Sequence, residues 1–183
     1  MRYMVKDLEC VKNNQEAYIK ECNIAHNKFL KYYGQNKDST FSYSKYNLFV
    51  LHPNPLFYDL YKEICKAARE YVGDDRRLWM QSWINFHNHY EVLDWHHHEF
   101  PFHGYISIDP KKTKTLFNDW LAEDATLENW EIENAPGRFY LGAGEIMHKV
   151  ETLEPFEGKR ITIGVDFTTG NLEQATSKLI PVL

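Results

Sequence analysis

The sequence predicts an α+β fold in which N-terminal helices pack on a double-stranded β-helix, or jelly-roll, core. Three observations lead there. Helical apolar spacing is confined to the part of the chain before about residue 77, and extended, strand-forming segments follow it. Those segments are short and fairly evenly spaced, as in a jelly-roll. Six of the nine histidines lie between His87 and His103, far denser than chance usage, and a metal face built on strands is what selects this sandwich from others.

At 183 residues the chain is long enough for one domain with a sizeable core, and no internal repeat divides it. We expect a single domain over residues 1–183, with helical support to about 77 and a β core over about 78–170. The formal net charge is −5 and no run of Lys or Arg exceeds a pair, so nucleic acid is not an expected partner. Cys10, Cys22 and Cys65 are odd in number and widely spaced, which argues against a disulfide framework or a zinc-thiolate site and fits a reducing cytoplasm. No apolar segment approaches membrane-spanning length, and the amino terminus is too charged for a signal peptide. A soluble, cytoplasmic protein with no membrane partner is expected.

In chain order, Ala17, Tyr18, Cys22, Ala25, Phe29 and Leu30 recur at helical spacing and predict an amphipathic helix over 12–33 that Gly34 stops. Residues 35–44 read as a polar loop and 46–51 as a short strand. Leu56, Leu60, Ile64, Ala67, Ala68 and Tyr71 mark a second helix, ended at Gly73. Strands are expected over 78–90, 104–109, 139–141, 148–150 and 160–167. Between them, 110–136 reads as a long acidic insertion containing Trp120 and Trp130, with a solvated amphipathic helix at 116–121 or a lid function.

The chemistry concentrates in Asp94-Trp95-His96-His97-His98-Glu99 and in the segment around His148. Two ligands spaced i, i+2 on a strand share a face, and a third imidazole from a distant strand completes a three-ligand face with open positions opposite, as in non-haem Fe(II) oxygenases. Two registers are available. His97 with Glu99 supplies a carboxylate; His96 with His98 supplies two imidazoles; the pairs lie on opposite faces of a regular strand. His87 and His89 repeat the same spacing and provide a further metal register. Arg160, on its own alternating stretch, is suited to a bidentate grip on a carboxylate.

Trp83-Ile84-Asn85, Trp95-His96-His97-His98 and Gly104-Tyr105-Ile106, followed by Pro136-Gly137, His148, Val150 and Gly158-Lys159-Arg160-Ile161-Thr162-Ile163, resemble the Fe(II)/2-oxoglutarate-dependent oxygenases, in particular the small bacterial and phage enzymes of the prolyl-hydroxylase-like group. The resemblance covers about residues 78–167. It implies a cupin-like core and Fe(II), 2-oxoglutarate and O2 as cofactor and co-substrates. The implied activity is hydroxylation of a prolyl or other peptidyl residue, or of a free amino acid, with release of succinate and CO2. It places the metal on His96, His98 and His148, with no catalytic residue beyond the ligands.

By the same resemblance Arg160 pairs with the far carboxylate of 2-oxoglutarate, Thr162 adds a neutral donor on the same face, Tyr105 donates from the neighbouring strand, and Asn85 touches the co-substrate. Ligand histidines need acceptors for their other N–H, and Asp94 and Glu99 are the expected ones. His103 has no assigned role. The competing readings are a non-catalytic metal-binding jelly-roll module and a zinc-dependent hydrolase, since three imidazoles and a water also suit zinc. Arg160 discriminates, because a hydrolase needs no carboxylate anchor.

Overall fold

A computed structural model describes residues 2–33, 45–90, 93–119, 128–170 and 178–183. The expected helix stop at Gly34, the loop at 35–44 and Trp120 fall outside them. In chain order the elements are β1 (Tyr3–Asp7), α1 (Glu9–Lys12), α2 (Gln15–Tyr33), α3 (Leu48–Leu51), α4 (Pro55–Val72), β2 (Leu78–His87) and β3 (Phe102–Asp109). They continue with β4 (Thr113–Asp119), β5 (Glu128–Glu133), β6 (Arg138–Ala143), β7 (Met147–Thr152), β8 (Arg160–Thr169) and β9 (Ile180–Pro181).

The helices follow from their apolar spacing and their caps. In α2, Tyr18, Cys22, Ala25 and Phe29 recur every three or four residues and are buried. The Asn54 side chain caps α4 by accepting from the Phe57 amide at 3.0 Å, Pro55 fits the first turn, and Gly73 ends the helix at φ 74°, a left-handed conformation that glycine adopts without penalty.

The strands form an antiparallel sheet in the order β1-β6-β3-β8-β2-β9 and a smaller one in the order β5-β4-β7. Between β2 and β8 the chain passes from the large sheet to the small one and back twice, which is the connectivity of a jelly-roll. Strand alternation sorts the large sheet's side chains into two faces. Leu78, Met80, Ile84, Ile106, Ile108, Phe139, Leu141, Ile161, Ile163, Val165 and Phe167 form one core with the buried faces of α2 and α4. The opposite face carries Trp83, Asn85 and His87 on β2, His103 and Tyr105 on β3, and Arg160, Thr162 and Asp166 on β8. It meets the small sheet, where Tyr105 and Tyr140 pack with Phe117, Ile132 and Ile146.

Pairing aligns these inward residues across strands. Gly164 lies opposite both Trp83 and Tyr105, Thr162 opposite Asn85 and Ser107, and Asp166 opposite Gln81 and His103. A Cβ on Gly164 would fall onto the Trp83 indole, so the glycine is what lets that ring lie flat over β8.

Two expectations are corrected. The segment 46–51 contains helix α3 rather than a strand, because Asn47 caps it: its Oδ1 accepts from the Phe49 amide at 3.1 Å and the Ser82 hydroxyl at 3.1 Å. Its Nδ2 donates to the Met80 carbonyl at 3.0 Å and the Lys178 carbonyl at 2.7 Å. The described part of the expected helix at 116–121, residues 116–119, is not helical. Residues 113–119 form β4, the middle strand of the small sheet, with Thr113, Thr115 and Phe117 buried in alternation. The described parts of the supposed insertion, 113–119 and 128–133, are thus paired strands of the small sheet, and 120–127 lie outside the described residues. Strand β1, at an edge of the large sheet in the part expected to be helical, was not anticipated. Among the described residues no helix is long and apolar enough to cross a membrane.

Asn47 is almost fully buried and satisfied by four partners. Asn47→Ala should cost about 2–4 kcal/mol, a lost helix cap plus buried groups left unpaired, read as a lower urea midpoint at unchanged m-value.

Candidate metal and carboxylate site

The histidine segment is not a regular strand. It touches β7 through one isolated antiparallel bridge, in which the His96 amide donates to the His148 carbonyl at 3.1 Å and the His148 amide to the His96 carbonyl at 2.9 Å. Two residues on, the His98 amide donates to the Gly144 carbonyl at 2.8 Å, and the Gly144 amide returns a bond to the Pro101 carbonyl at 3.1 Å. A Cβ on Gly144 would collide with the Phe100 carbonyl, so this close approach requires glycine.

These contacts bring His96, His98 and His148 together. Their ring centroids are 4.3 to 5.6 Å apart, and one nitrogen from each lies within 4.8 Å of the others. Each ring is anchored through Nδ1: His96 on the Asp94 carbonyl at 2.7 Å, His148 on the Ile146 carbonyl at 3.1 Å, and His98 on the Asp166 carboxylate at 3.2 Å. Carbonyl and carboxylate oxygens only accept, so each Nδ1 carries a proton, and each ring in its neutral form has its Nε2 lone pair for a metal. His98 Nε2 is buried and has no partner in the protein. This donor set fits a first-row divalent ion with open positions on the cavity side.

His97 and Glu99 are exposed and belong to neither group of clustered donors among the described residues. His87 is buried opposite Arg160, whereas His89 lies beyond the end of β2 with its ring against Phe156 and Tyr90. The expected acceptors differ as well. Asp94 serves His96 through its backbone carbonyl, its carboxylate instead accepting from the Trp95 amide at 2.8 Å, and exposed Glu99 is not the acceptor for His98. The buried carboxylate is Asp166, which also accepts from His103 Nδ1 at 2.8 Å. Both residues were missed, although Asp166 stands six residues after Arg160 on an alternating strand and so shares its face.

Arg160 is 5 % exposed, its Nε has no hydrogen-bond partner, and no carboxylate among the described residues is paired with it. Burial pulls the guanidinium down to about 10, against an opposing pull from Tyr105. The Tyr105 hydroxyl is likewise buried without a hydrogen-bond partner, and burial pushes it up to about 12. Asn85 is turned to the protein: its Oδ1 accepts from the Trp83 indole at 3.0 Å and its Nδ2 donates to the Thr162 hydroxyl at 3.3 Å. The three histidines, Tyr105, Arg160 and Thr162 line one cavity of about 390 Å³.

Desolvation dominates the imidazoles. It lowers His96, lowers His148 well below its ordinary value, and brings His103 to about 4 from 6.5. For Asp166 burial acts upward, and the His103 and His98 contacts outweigh it to hold the carboxyl down to about 2.

No protein-family model matches the chain, and no curated protein matches it. Among solved structures it is similar to the non-heme alpha ketoglutarate dependent carbocyclase SnoK from nogalamycin biosynthesis, with a TM-score of 0.64 and 13% identity over 90% of this chain and 78% of that one. It is also similar to the epimerase SnoN in complex with Fe3+, alpha ketoglutarate and nogalamycin RO, with a TM-score of 0.60 and 10% identity over 91% and 78% of the two chains. A third is the apo non-heme monooxygenase ThoJ, with a TM-score of 0.54 and 10% identity over 85% and 69%. The likeness is one of fold, and it identifies the two-sheet core as the cupin-like jelly-roll.

Imidazoles held neutral in the folded chain take up protons on unfolding below their ordinary value of 6.5. Their stabilising contribution is therefore present above that pH and lost as pH falls toward 4, with Asp166 adding a further loss toward 2. The metal-free protein should show a urea midpoint that rises steadily from about pH 4 to 6.5, and a flat profile there would contradict the buried neutral rings.

Proposed function

We propose that the chain is an Fe(II)/2-oxoglutarate-dependent oxygenase, with His96, His98 and His148 holding the metal and Arg160 holding the co-substrate. The observation that carries this reading is the buried, carboxylate-free guanidinium in the same cavity as three imidazoles with their Nε2 atoms available. A buried charge without a counter-charge is costly, and an anionic ligand removes that cost. A zinc hydrolase leaves Arg160 without a task, and a non-catalytic module that uses the metal for structure or holds a small carboxylate would bind 2-oxoglutarate without forming succinate.

Iron held by His96, His98 and His148 would supply the coupling of O2 reduction and 2-oxoglutarate decarboxylation, giving succinate and CO2, to oxidation of a substrate C–H bond. The protein's part is binding and orientation. Arg160 offers a planar fork of donors to the far carboxylate, Thr162 offers its hydroxyl beside it, and Tyr105 offers a phenol that stays protonated. Asn85 lines the same cavity and ties Thr162 to Trp83 through its side-chain amide, from where it could also meet the co-substrate. Trp83 and Phe117 close the walls beside the histidines, which strengthens polar contacts inside by excluding water.

The substrate falls to a prolyl or other peptidyl residue, or to a free amino acid or comparable small molecule. The first is supported by the resemblance of the histidine and arginine segments to prolyl-hydroxylase-like enzymes. The second is supported by structural neighbours that act in nogalamycin biosynthesis. Neither a nucleic acid nor a membrane is a partner in this reading, and the unpaired Cys10, Cys22 and Cys65 suit a reducing cytoplasm.

The test is succinate formation by protein loaded anaerobically with Fe(II), then given 2-oxoglutarate and air. Wild type should form succinate even without substrate, at a slow uncoupled rate. His148→Ala should abolish it, and Arg160→Ala should raise the 2-oxoglutarate KM roughly 30-fold or more, the effect of removing one partner of a buried charge pair. Unchanged turnover in both variants would end the reading.

A further inference from the structure

Three imidazoles leave a divalent ion without the negative charge that a ligating carboxylate brings. The described residues contain a second cluster of donors, His98, His103 and Asp166, sharing His98 with the first. Two observations decide how that cluster is used. The His98 and His103 rings are stacked, with centroids 3.5 Å apart and planes 12° apart. An imidazole lone pair lies in its ring plane, so one ion between the two Nδ1 atoms would sit outside both planes. A carboxylate has no such difficulty, because it can accept from both in-plane N–H groups at once: Oδ1 meets His103 Nδ1 at 2.8 Å and His98 Nδ1 at 3.1 Å, and Oδ2 meets His98 Nδ1 at 3.2 Å.

We propose that Asp166 is a positioning residue of the metal face: its carboxylate, one imidazole removed from the ion, locks His98 with Nε2 forward and lends the ring its negative charge. His103 is the brace that holds the carboxylate in place. Asp166 lies on the central strand opposite His103, 1 % exposed, and accepts from both rings, so its direction is fixed from two sides. A ring donating Nδ1–H to a carboxylate is a more basic ligand at Nε2 than one donating to a carbonyl. His96 and His148, which donate to carbonyls, lack this push, and His98 is the ring that carries it. The inference rests on the metal reading above, and deepens it by naming the residue that stands in for the missing carboxylate ligand.

The experiment uses the full chain without co-substrate. In metal-free wild type, nitrogen-15 NMR should show His98 protonated at Nδ1, and an Nε2–H tautomer would overturn the proposal without any variant. Anaerobic titration with Fe(II) against a chelator should then show Asp166→Asn binding about 10- to 100-fold more weakly, with His98 no longer fixed in one tautomer. A role in stability alone predicts a lower melting temperature with metal affinity unmoved, and that result overturns the proposal while leaving the metal site standing. X-ray absorption that finds an oxygen ligand lost in Asp166→Asn makes Asp166 a direct ligand, which also overturns it. Wild type that binds no Fe(II) overturns both this proposal and the oxygenase reading.

Discussion

One pair of backbone hydrogen bonds, between His96 and His148, sets the geometry on which the rest of the site depends. Residues that exchange both bonds across an antiparallel pair put their side chains on the same side, with Cβ atoms about 5 Å apart. The 4.3 Å between these two ring centroids follows from that pairing. It also settles which of four adjacent groups face inward, because slipping the bridge by one residue would present His97 in place of His96 and turn the set over. The bonds from His98 to Gly144 and from Gly144 to Pro101 prevent that slip.

The second requirement is a rigid wall behind the histidines, and β8 supplies it. This strand lies between β2 and β3, paired along nearly its whole length, with Ile161, Ile163, Val165 and Phe167 sunk into the helix-side core. With one face fixed by apolar burial, alternation leaves Arg160, Thr162, Gly164 and Asp166 no choice but the cavity. The helices reach the chemistry through this strand: α2 and α4 bury the back of the sheet, and the sheet aims polar groups that would otherwise not remain inside.

Much of this was legible in the sequence because it rests on period. The two long helices, the succession of strands after Arg77 and the inward face of Arg160 and Thr162 all follow from spacing of apolar residues. What escaped was decided by contacts distant in the chain. Asn47 caps 48–51 by accepting from the Phe49 amide, and its side chain is held in place by the Met80 and Lys178 carbonyls, contacts that no local propensity reports. Residues 116–121 read as a solvated amphipathic helix within an insertion, but pairing on both sides makes 113–119 a central strand with Phe117 inward. The choice between the two histidine registers had no local answer, since 96–98 is not a strand. Asp166 was visible by the same alternation that exposed Arg160; its partner His103 lies on another strand, so the pairing of β3 with β8 was needed to give either a role.

The placement of charge along β8 shows how the site orients what it binds. Asp166 and Arg160 are six residues apart on one strand, roughly 20 Å between their backbones at the rise of an extended chain, and no ion pair joins them: Asp166 is paired with His98 and His103. The carboxylate end faces the histidines and favours a cation there, while the guanidinium end favours an anion. A cation held at the imidazoles reinforces the polarity, because it leaves Arg160 still without a counter-charge. A molecule with a metal-chelating head and a carboxylate tail satisfies both ends in one orientation, and reversing it places the tail where no guanidinium waits. In the proposed oxygenase reading, the direction of binding would be set by where the fold buries these two charges, before any substrate contact is made.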